Sequence, residues 1–212
     1  MATFEDVAKG VLEGNAGKVK ALCEELVKDG HAPLDIINDA LIVGMTEVGI
    51  RFKANEMFVP EVIASAEAMD RGTEVVKPLI NAGDLKSLGK VVIGTVKGDM
   101  HDIGKNLVKM MLEGTGFSVV DLGISVAPEA FVASVKEHNP DVVAMSALLT
   151  TTMLHMKDTI ELLKEEGLRD DVKVIIGGAP VSQDFSDEIA ADGFSPDAIS
   201  ATDLCKALLG VD

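Results

Sequence analysis

Over the first eighty or so residues, apolar positions recur at three- and four-residue spacing, the period of a helix with one buried face. Phe4, Val7, Ala8, Val11 and Leu12 form the first such stretch, ended by Gly14. Val19, Leu22, Cys23, Leu26 and Val27 form the second, closed by Gly30. A third carries Ile36, Ile37, Ala40, Leu41, Val43 and Gly44 and runs toward Phe52. The fourth starts at Pro60, a residue suited to a first helical turn, and continues through Val62, Ile63, Ala66, Met69, Val75 and Val76. Four amphipathic helices with short connections predict a small bundle.

Past the polar, glycine-containing joint NAGDLKSLGK at 81–90 the period changes. Short β-rich runs at 91–96, 117–122, 142–146 and 172–176 alternate with helical stretches at 103–114, 128–138, 152–166 and 183–192. The block DAIS at 197–200 reads as a short fifth strand, followed by a helix ending near Leu209. Continuous apolar strands separated by helices mean a parallel sheet covered on both faces. The expected architecture is α + α/β: a helical domain over 1–88, then a flavodoxin-like (Rossmann-like) doubly wound five-stranded parallel sheet over 89–212. Such sheets bind ligands beyond the carboxyl ends of their strands, where the strand order reverses. The loops after strands one, three and four are therefore where chemistry is sought.

Composition narrows the choice. The chain has 212 residues, 47% hydrophobic, with no Trp or Tyr, and a net charge of −16. That charge opposes a polyanion-binding surface, so neither nucleic acid nor an anionic membrane is an expected partner. The start carries no basic and apolar signal pattern, and no run approaches the roughly 18 apolar residues of a membrane span, so a cytoplasmic protein is expected. Cys23 and Cys205 form no CxxC, which leaves zinc and disulfide frameworks without support.

The first strand runs into GDMHDIGKN at 98–106, with Asp99, His101 and Asp102 between Gly98 and Gly104. Its spacing is not that of a phosphate cradle. It offers one imidazole at a strand end with a carboxylate two residues earlier, and a metal-binding His commonly gives its second ring N–H to a carboxylate. One His is too few for zinc or a facial-triad iron site. It suffices for a metal already held by a macrocycle that needs one axial ligand. The loop after the third strand, SALLTTT at 146–152, supplies small residues and hydroxyls. The loop after the fourth, GGAP at 177–180, supplies bare backbone or an ordinary sharp turn. His31, His138 and His155 fit surface or capping roles, and the acidic run 161–166 a solvated face.

Asp99, His101 and Gly104, followed by Ser146 and Leu148 and then Gly177 and Gly178, resemble the DxHxxG…SxL…GG signature of cobalamin-binding domains. The run FKANEMFVPEV at 52–62, continuing to Met69, resembles the cap helices that precede this domain in methionine synthase. The likeness is to the small corrinoid proteins of anaerobic methyltransferase systems, which handle methylamines, methanol, methylated betaines or methoxylated aromatics.

This resemblance implies a cobalamin or related corrinoid that cycles between cob(I)alamin and methylcob(III)alamin. His101 would be the axial cobalt ligand, with Asp99 accepting its other ring N–H and Thr152 standing where methionine synthase has a serine. Asp102 would belong to the same cofactor loop. Ser146, Leu148 and Thr150 would line the slot for the displaced nucleotide tail, and Gly104, Gly177 and Gly178 would let that tail pass close to the backbone. Phe52 and Val59, backed by Val62, would cover the upper face of cobalt, with the 81–90 joint as the hinge of the cap. The implied partners are a substrate-specific corrinoid methyltransferase, a second methyltransferase delivering to tetrahydrofolate or a thiol coenzyme, and a reductive activase. The chain would be a methyl-carrier subunit, not catalytic alone. A cobalamin-binding sensor or regulatory module is the alternative within the same family. A receiver-like or flavin-binding domain would explain the sheet but leave His101 and the helices without a role.

Overall fold

The computed structural model describes residues 1–80 and 87–211, and these fall into two compact units. The first is helical: α1 Phe4–Leu12, α2 Ala16–Lys28, α3 Pro33–Ile36, a π-helical turn Ile37–Leu41, α4 Ile42–Lys53, α5 Val59–Val76 and a closing 3-10 turn Lys77–Leu79. Thr3 caps α1 by accepting from the Asp6 N–H, while the Asp6 carboxylate takes the Thr3 N–H. The third amphipathic stretch is one helical rod from Pro33 to Lys53, interrupted by the π turn, which takes an extra residue into one coil. The buried faces of α2 (Val19, Cys23, Leu26) and α5 (Val62, Ala66, Met69, Val76) pack on each other. Where α4 crosses α1 the contact is backbone-close at Gly44: a Cβ there would lie 2.7 Å from the Ala8 carbonyl oxygen and 2.8 Å from the Val11 Cβ.

The second unit is a five-stranded parallel sheet, order β2-β1-β3-β4-β5, with β1 Lys90–Thr95, β2 Ser118–Asp121, β3 Val142–Ser146, β4 Lys173–Gly177 and β5 Gly193–Ser195. Its helices are α6 Ile103–Gly114, α7 Pro128–His138, α8 Leu154–Glu165, α9 Gln183–Glu188 and α10 Ala198–Leu209. The strands alternate apolar side chains between two cores. Val92, Val143, Met145, Val174 and Ile176 share one face with Phe131 of α7 and Met156 and Ile160 of α8. Val91, Ile93, Val142, Ala144 and Ile175 share the other with Leu112 of α6 and Cys205 of α10. Because both faces are covered, the strands need no polar alternation, which is why they read as continuous apolar runs.

Two expectations about this unit fail. The block at 197–200 is not a strand: Asp197 is the N-cap of α10, its Oδ1 accepting the N–H groups of Ile199 at 3.0 Å and Ser200 at 2.8 Å. The fifth strand lies earlier, at Gly193–Ser195, and is too short to show a period. The helix expected over 183–192 stops at Glu188, because the chain must return to the sheet as β5. Of the expected hinge, 81–86 lie outside the described residues. Gly89 is packed against Leu209, Asp141 and Phe117, and its carbonyl accepts the Ser118 N–H at 3.0 Å, so it belongs to the sheet rather than to a swivel.

Gly44→Ala tests the α1–α4 packing. The substitution gains about 1 kcal/mol of helix propensity. It also forces a Cβ against backbone atoms, an overpacking that costs more than that gain. The expected net result is a loss of about 1–2 kcal/mol, read by urea unfolding followed by far-ultraviolet circular dichroism.

Candidate functional site

The strand order reverses between β1 and β3, and the loops leaving these two strands meet on one carboxylate. The Asp99 side chain is fully buried. Its Oδ1 accepts the His101 backbone N–H at 3.1 Å and lies 2.7 Å from His101 Nδ1. Its Oδ2 accepts the Leu148 N–H at 2.8 Å, the Leu149 N–H at 3.3 Å and the Thr152 hydroxyl at 2.7 Å. The β1 loop and the β3 loop are thus tied through one charged group.

The local chain is shaped to deliver that carboxylate inward. Gly98 takes φ +78, a left-handed turn that glycine adopts without strain. Its N–H donates to Ser125 Oγ at 3.0 Å, and the Ser125 N–H donates to the Asp99 carbonyl at 2.9 Å, bracing the β1 loop on the β2–α7 loop. Thr95 Oγ1 donates to the His101 carbonyl at 2.9 Å.

Burial pushes the Asp99 pKa up, but the Thr152 hydroxyl, the Leu148 N–H and the two His101 groups outweigh it and hold the carboxyl well below the usual carboxylate range. An ionised carboxylate can only accept, so His101 Nδ1 donates to it and Nε2 is the ring nitrogen that does not face Asp99. The ring is 52% exposed. The arrangement is therefore a pre-oriented, half-exposed imidazole whose Nδ1 is committed to Asp99.

Most of the residues expected at the site gather here. Ser146 ends β3, and its carbonyl accepts the Val96 N–H. Leu148 and Thr150 are exposed on the β3 loop, with Thr152 buried behind them. Gly177 ends β4, where a Cβ would lie 2.9 Å from the Ser195 carbonyl oxygen. At Gly178, φ is +127 and a Cβ would collide with the Ala147 carbonyl. Gly104 differs: a Cβ there would meet nothing within 4 Å, so the fold itself does not demand glycine. Asp102 is exposed, its carboxylate accepting Asn106 Nδ2 at 3.1 Å. Phe52 and Val59 are partly buried and Val62 fully buried within the helical unit.

Sequence reading missed several contributors. The Leu148 and Leu149 N–H groups hold Asp99, and backbone donors leave no mark in side-chain identity. Lys105, only 2% exposed, contacts both oxygens of Asp121, at 2.7 and 2.8 Å. A lone Lys after a glycine gives no sign that it is buried. Around His101, Met100 (65%), Ile103 (77%), Ile124, Leu148, Leu149 and Leu154 are exposed apolar side chains. A rim of this kind marks a binding surface.

Among the described residues no group of three or more His, Cys, Asp or Glu side chains is placed to hold a metal ion. A metal at His101 must therefore arrive with its other ligands. A flat, largely apolar macrocycle would match the rim, and an attached tail could lie along bare glycine backbone. The residues fit a corrin. Fold and site together define a doubly wound domain whose switch point presents one oriented, half-exposed imidazole.

Comparison with known proteins gives the family. Residues 89–202 and residues 3–77 each match a family model described as a B12 binding domain. A corrinoid protein of Desulfitobacterium hafniense is 40% identical over 99% of this chain and 99% of its own. A trimethylamine corrinoid protein of Methanosarcina mazei is 47% identical over 90% of this chain and 88% of its own. Among solved structures, the methanol:cobalamin methyltransferase complex of Methanosarcina barkeri matches with a TM-score of 0.90 at 35% identity, covering 98% of this chain and 79% of that one. The chain belongs to the B12-binding corrinoid proteins of methyltransferase systems, and its cofactor is cobalamin or a related corrinoid. No helix among the described residues is long and apolar enough to cross a membrane.

Two substitutions probe the network without cofactor. Thr152→Val removes the shortest of the three hydrogen bonds on Asp99 Oδ2 and is expected to cost about 1–3 kcal/mol in urea unfolding. Asp121 is held below the usual carboxylate range: burial raises it, but Lys105 and the Gly123 N–H outweigh that. Its folded value lies below that of the unfolded chain, so its stabilisation is complete above the ordinary value of 3.8 and is lost as pH falls through the folded value. The stability lost in Asp121→Asn should be equal at about pH 5 and 7 and smaller at about pH 3, read by thermal melts.

Proposed function

We propose that this chain is a methyl carrier that takes a methyl group from a substrate:corrinoid methyltransferase and gives it up to a second methyltransferase. The observation that carries this reading is the His101 imidazole, half exposed and locked by a buried, fully hydrogen-bonded Asp99. When bound, the corrinoid supplies a cobalt that accepts and releases a methyl group as its oxidation state changes.

The chain's own residues do the rest. His101 would hold the cobalt through Nε2, and Asp99 would fix the ring's tautomer and orientation through Nδ1. The Thr152 hydroxyl and the Leu148 N–H keep Asp99 ionised, so the proton stays on Nδ1 while Nε2 is engaged. Ser146, Leu148 and Thr150 line the path of the nucleotide tail, Gly104, Gly177 and Gly178 let it approach the backbone, and Asp102 holds the helix entry beside it. Phe52, Val59 and Val62 keep the role that the resemblance gives them, as a cover for the reactive face that excludes water. On this reading residues 1–88 act as the cap domain and 89–212 as the cofactor domain.

The relatives' names, trimethylamine and methanol among them, support a methylated amine or alcohol as donor, recognised by the partner methyltransferase. The acceptor on the second methyltransferase would be tetrahydrofolate or a thiol coenzyme, and a reductive activase would be the third partner. The two free, buried cysteines, Cys23 and Cys205, suit the reducing cytoplasm in which such a cobalt is kept.

Protein incubated with hydroxocobalamin and desalted should retain the cofactor, with an absorption spectrum that His101→Ala alters. Identical spectra in the two proteins would remove His101 from the cobalt, and a colourless, folded product would overturn the reading.

A further inference from the structure

Lys105 sits on the third residue of α6, four positions past His101, and is 2% exposed. Its ammonium spends its three donors close by, on Asp121 Oδ1 at 2.7 Å, Asp121 Oδ2 at 2.8 Å and Asn106 Oδ1 at 2.7 Å. Two chains of hydrogen bonds lead from this ammonium, one to the His101 carbonyl and one to the neighbouring Asp102. Along the first, Asp121 Oδ1 accepts the Gly123 N–H at 2.9 Å, the Gly123 carbonyl accepts the Thr95 N–H at 3.0 Å, and Thr95 Oγ1 donates to the His101 carbonyl at 2.9 Å. Along the second, Asn106 Nδ2 donates to Asp102 Oδ2 at 3.1 Å, and the Asn106 N–H donates to the Asp102 carbonyl at 2.8 Å. His101 and Asp102 are thus each held through contacts that do not involve Asp99, and both sets begin at one buried charge.

We infer that Lys105 is a positioning residue for the cobalt-binding imidazole: its contacts with Asp121 and Asn106 set the backbone at residues 101 and 102, while Asp99 sets the ring. A buried lysine is costly unless its charge is paired and its remaining donors are met. The third contact, on Asn106, turns the pair toward the His101 loop. Partners behind a metal ligand govern how firmly it binds, commonly by a factor of about 10 to 100. The inference rests on the corrinoid reading and adds a residue that reading does not use.

The test is electron paramagnetic resonance of bound cob(II)alamin on full-length protein carrying ¹⁵N-labelled histidine. Axial ligation by the protein gives a doublet splitting from ¹⁵N, ligation by the cofactor's own base a triplet from ¹⁴N, and loss of both leaves neither. Native protein should give the doublet. Lys105→Met should lower the ratio of histidine-bound to unbound cobalt by about tenfold, with the circular dichroism spectrum retained. Thr95→Val and Asn106→Leu each cut one chain without leaving a lone buried charge, should each lower the ratio by a smaller factor, and decide the matter where Lys105→Met does not fold. A doublet undiminished in folded Lys105→Met, or undiminished in both single-chain variants, overturns the inference alone. A native protein without the doublet overturns the corrinoid ligation itself, and is told apart because it appears before any substitution.

Discussion

The α/β unit is organised around a charge that has no contact with solvent. A buried carboxylate costs several kcal/mol unless its lone pairs are met by donors. Asp99 is met by donors from its own loop and from the loop after β3. These are the neighbouring strands between which the sheet reverses its order. The compensation that makes the charge tolerable is therefore the same set of bonds that closes the switch point. It also leaves His101 with a single orientation and a single free nitrogen, so a stability requirement and a binding requirement are satisfied by one arrangement.

Around that group the unit treats polar and apolar surface in opposite ways. Behind the imidazole every polar group is tied, through Thr95, Ser125, Thr152 and, at a distance, Lys105 and Asp121. In front of it lie exposed leucine, isoleucine and methionine side chains and a glycine whose Cβ position is empty. A rigid donor set in an apolar rim suits a ligand that is broad and hydrophobic yet must be held by one directed bond. That is the physical content of the family assignment, and it explains why so few side chains with chemistry of their own are needed.

The period of the chain determined much of this. Helical spacing up to Val76 and continuous apolar runs thereafter were enough for a helical unit followed by a covered parallel sheet, because burial on one face or on two imposes different patterns. The strand-end runs carrying Asp99, His101, Ser146 and Gly177 were legible for the same reason: topology places ligand chemistry at carboxyl ends. What failed was short or capped. Three residues of β5 are too few to show a period, and Asp197, an N-cap, marked a helix start where a strand was expected.

Tertiary structure alone decided which groups hold which. The Leu148 and Leu149 donors belong to the backbone and are invisible in residue identity, and the burial of Lys105 depends on β2 bringing Asp121 beside α6. Gly178 and Gly104 look alike in sequence. In space one is forced by the Ala147 carbonyl at positive φ, while the other has open room on its Cβ side. The sequence specifies donors, acceptors and periods locally, whereas the Asp99 charge is held in part by donors some fifty residues away, and only the folded chain sets those distances.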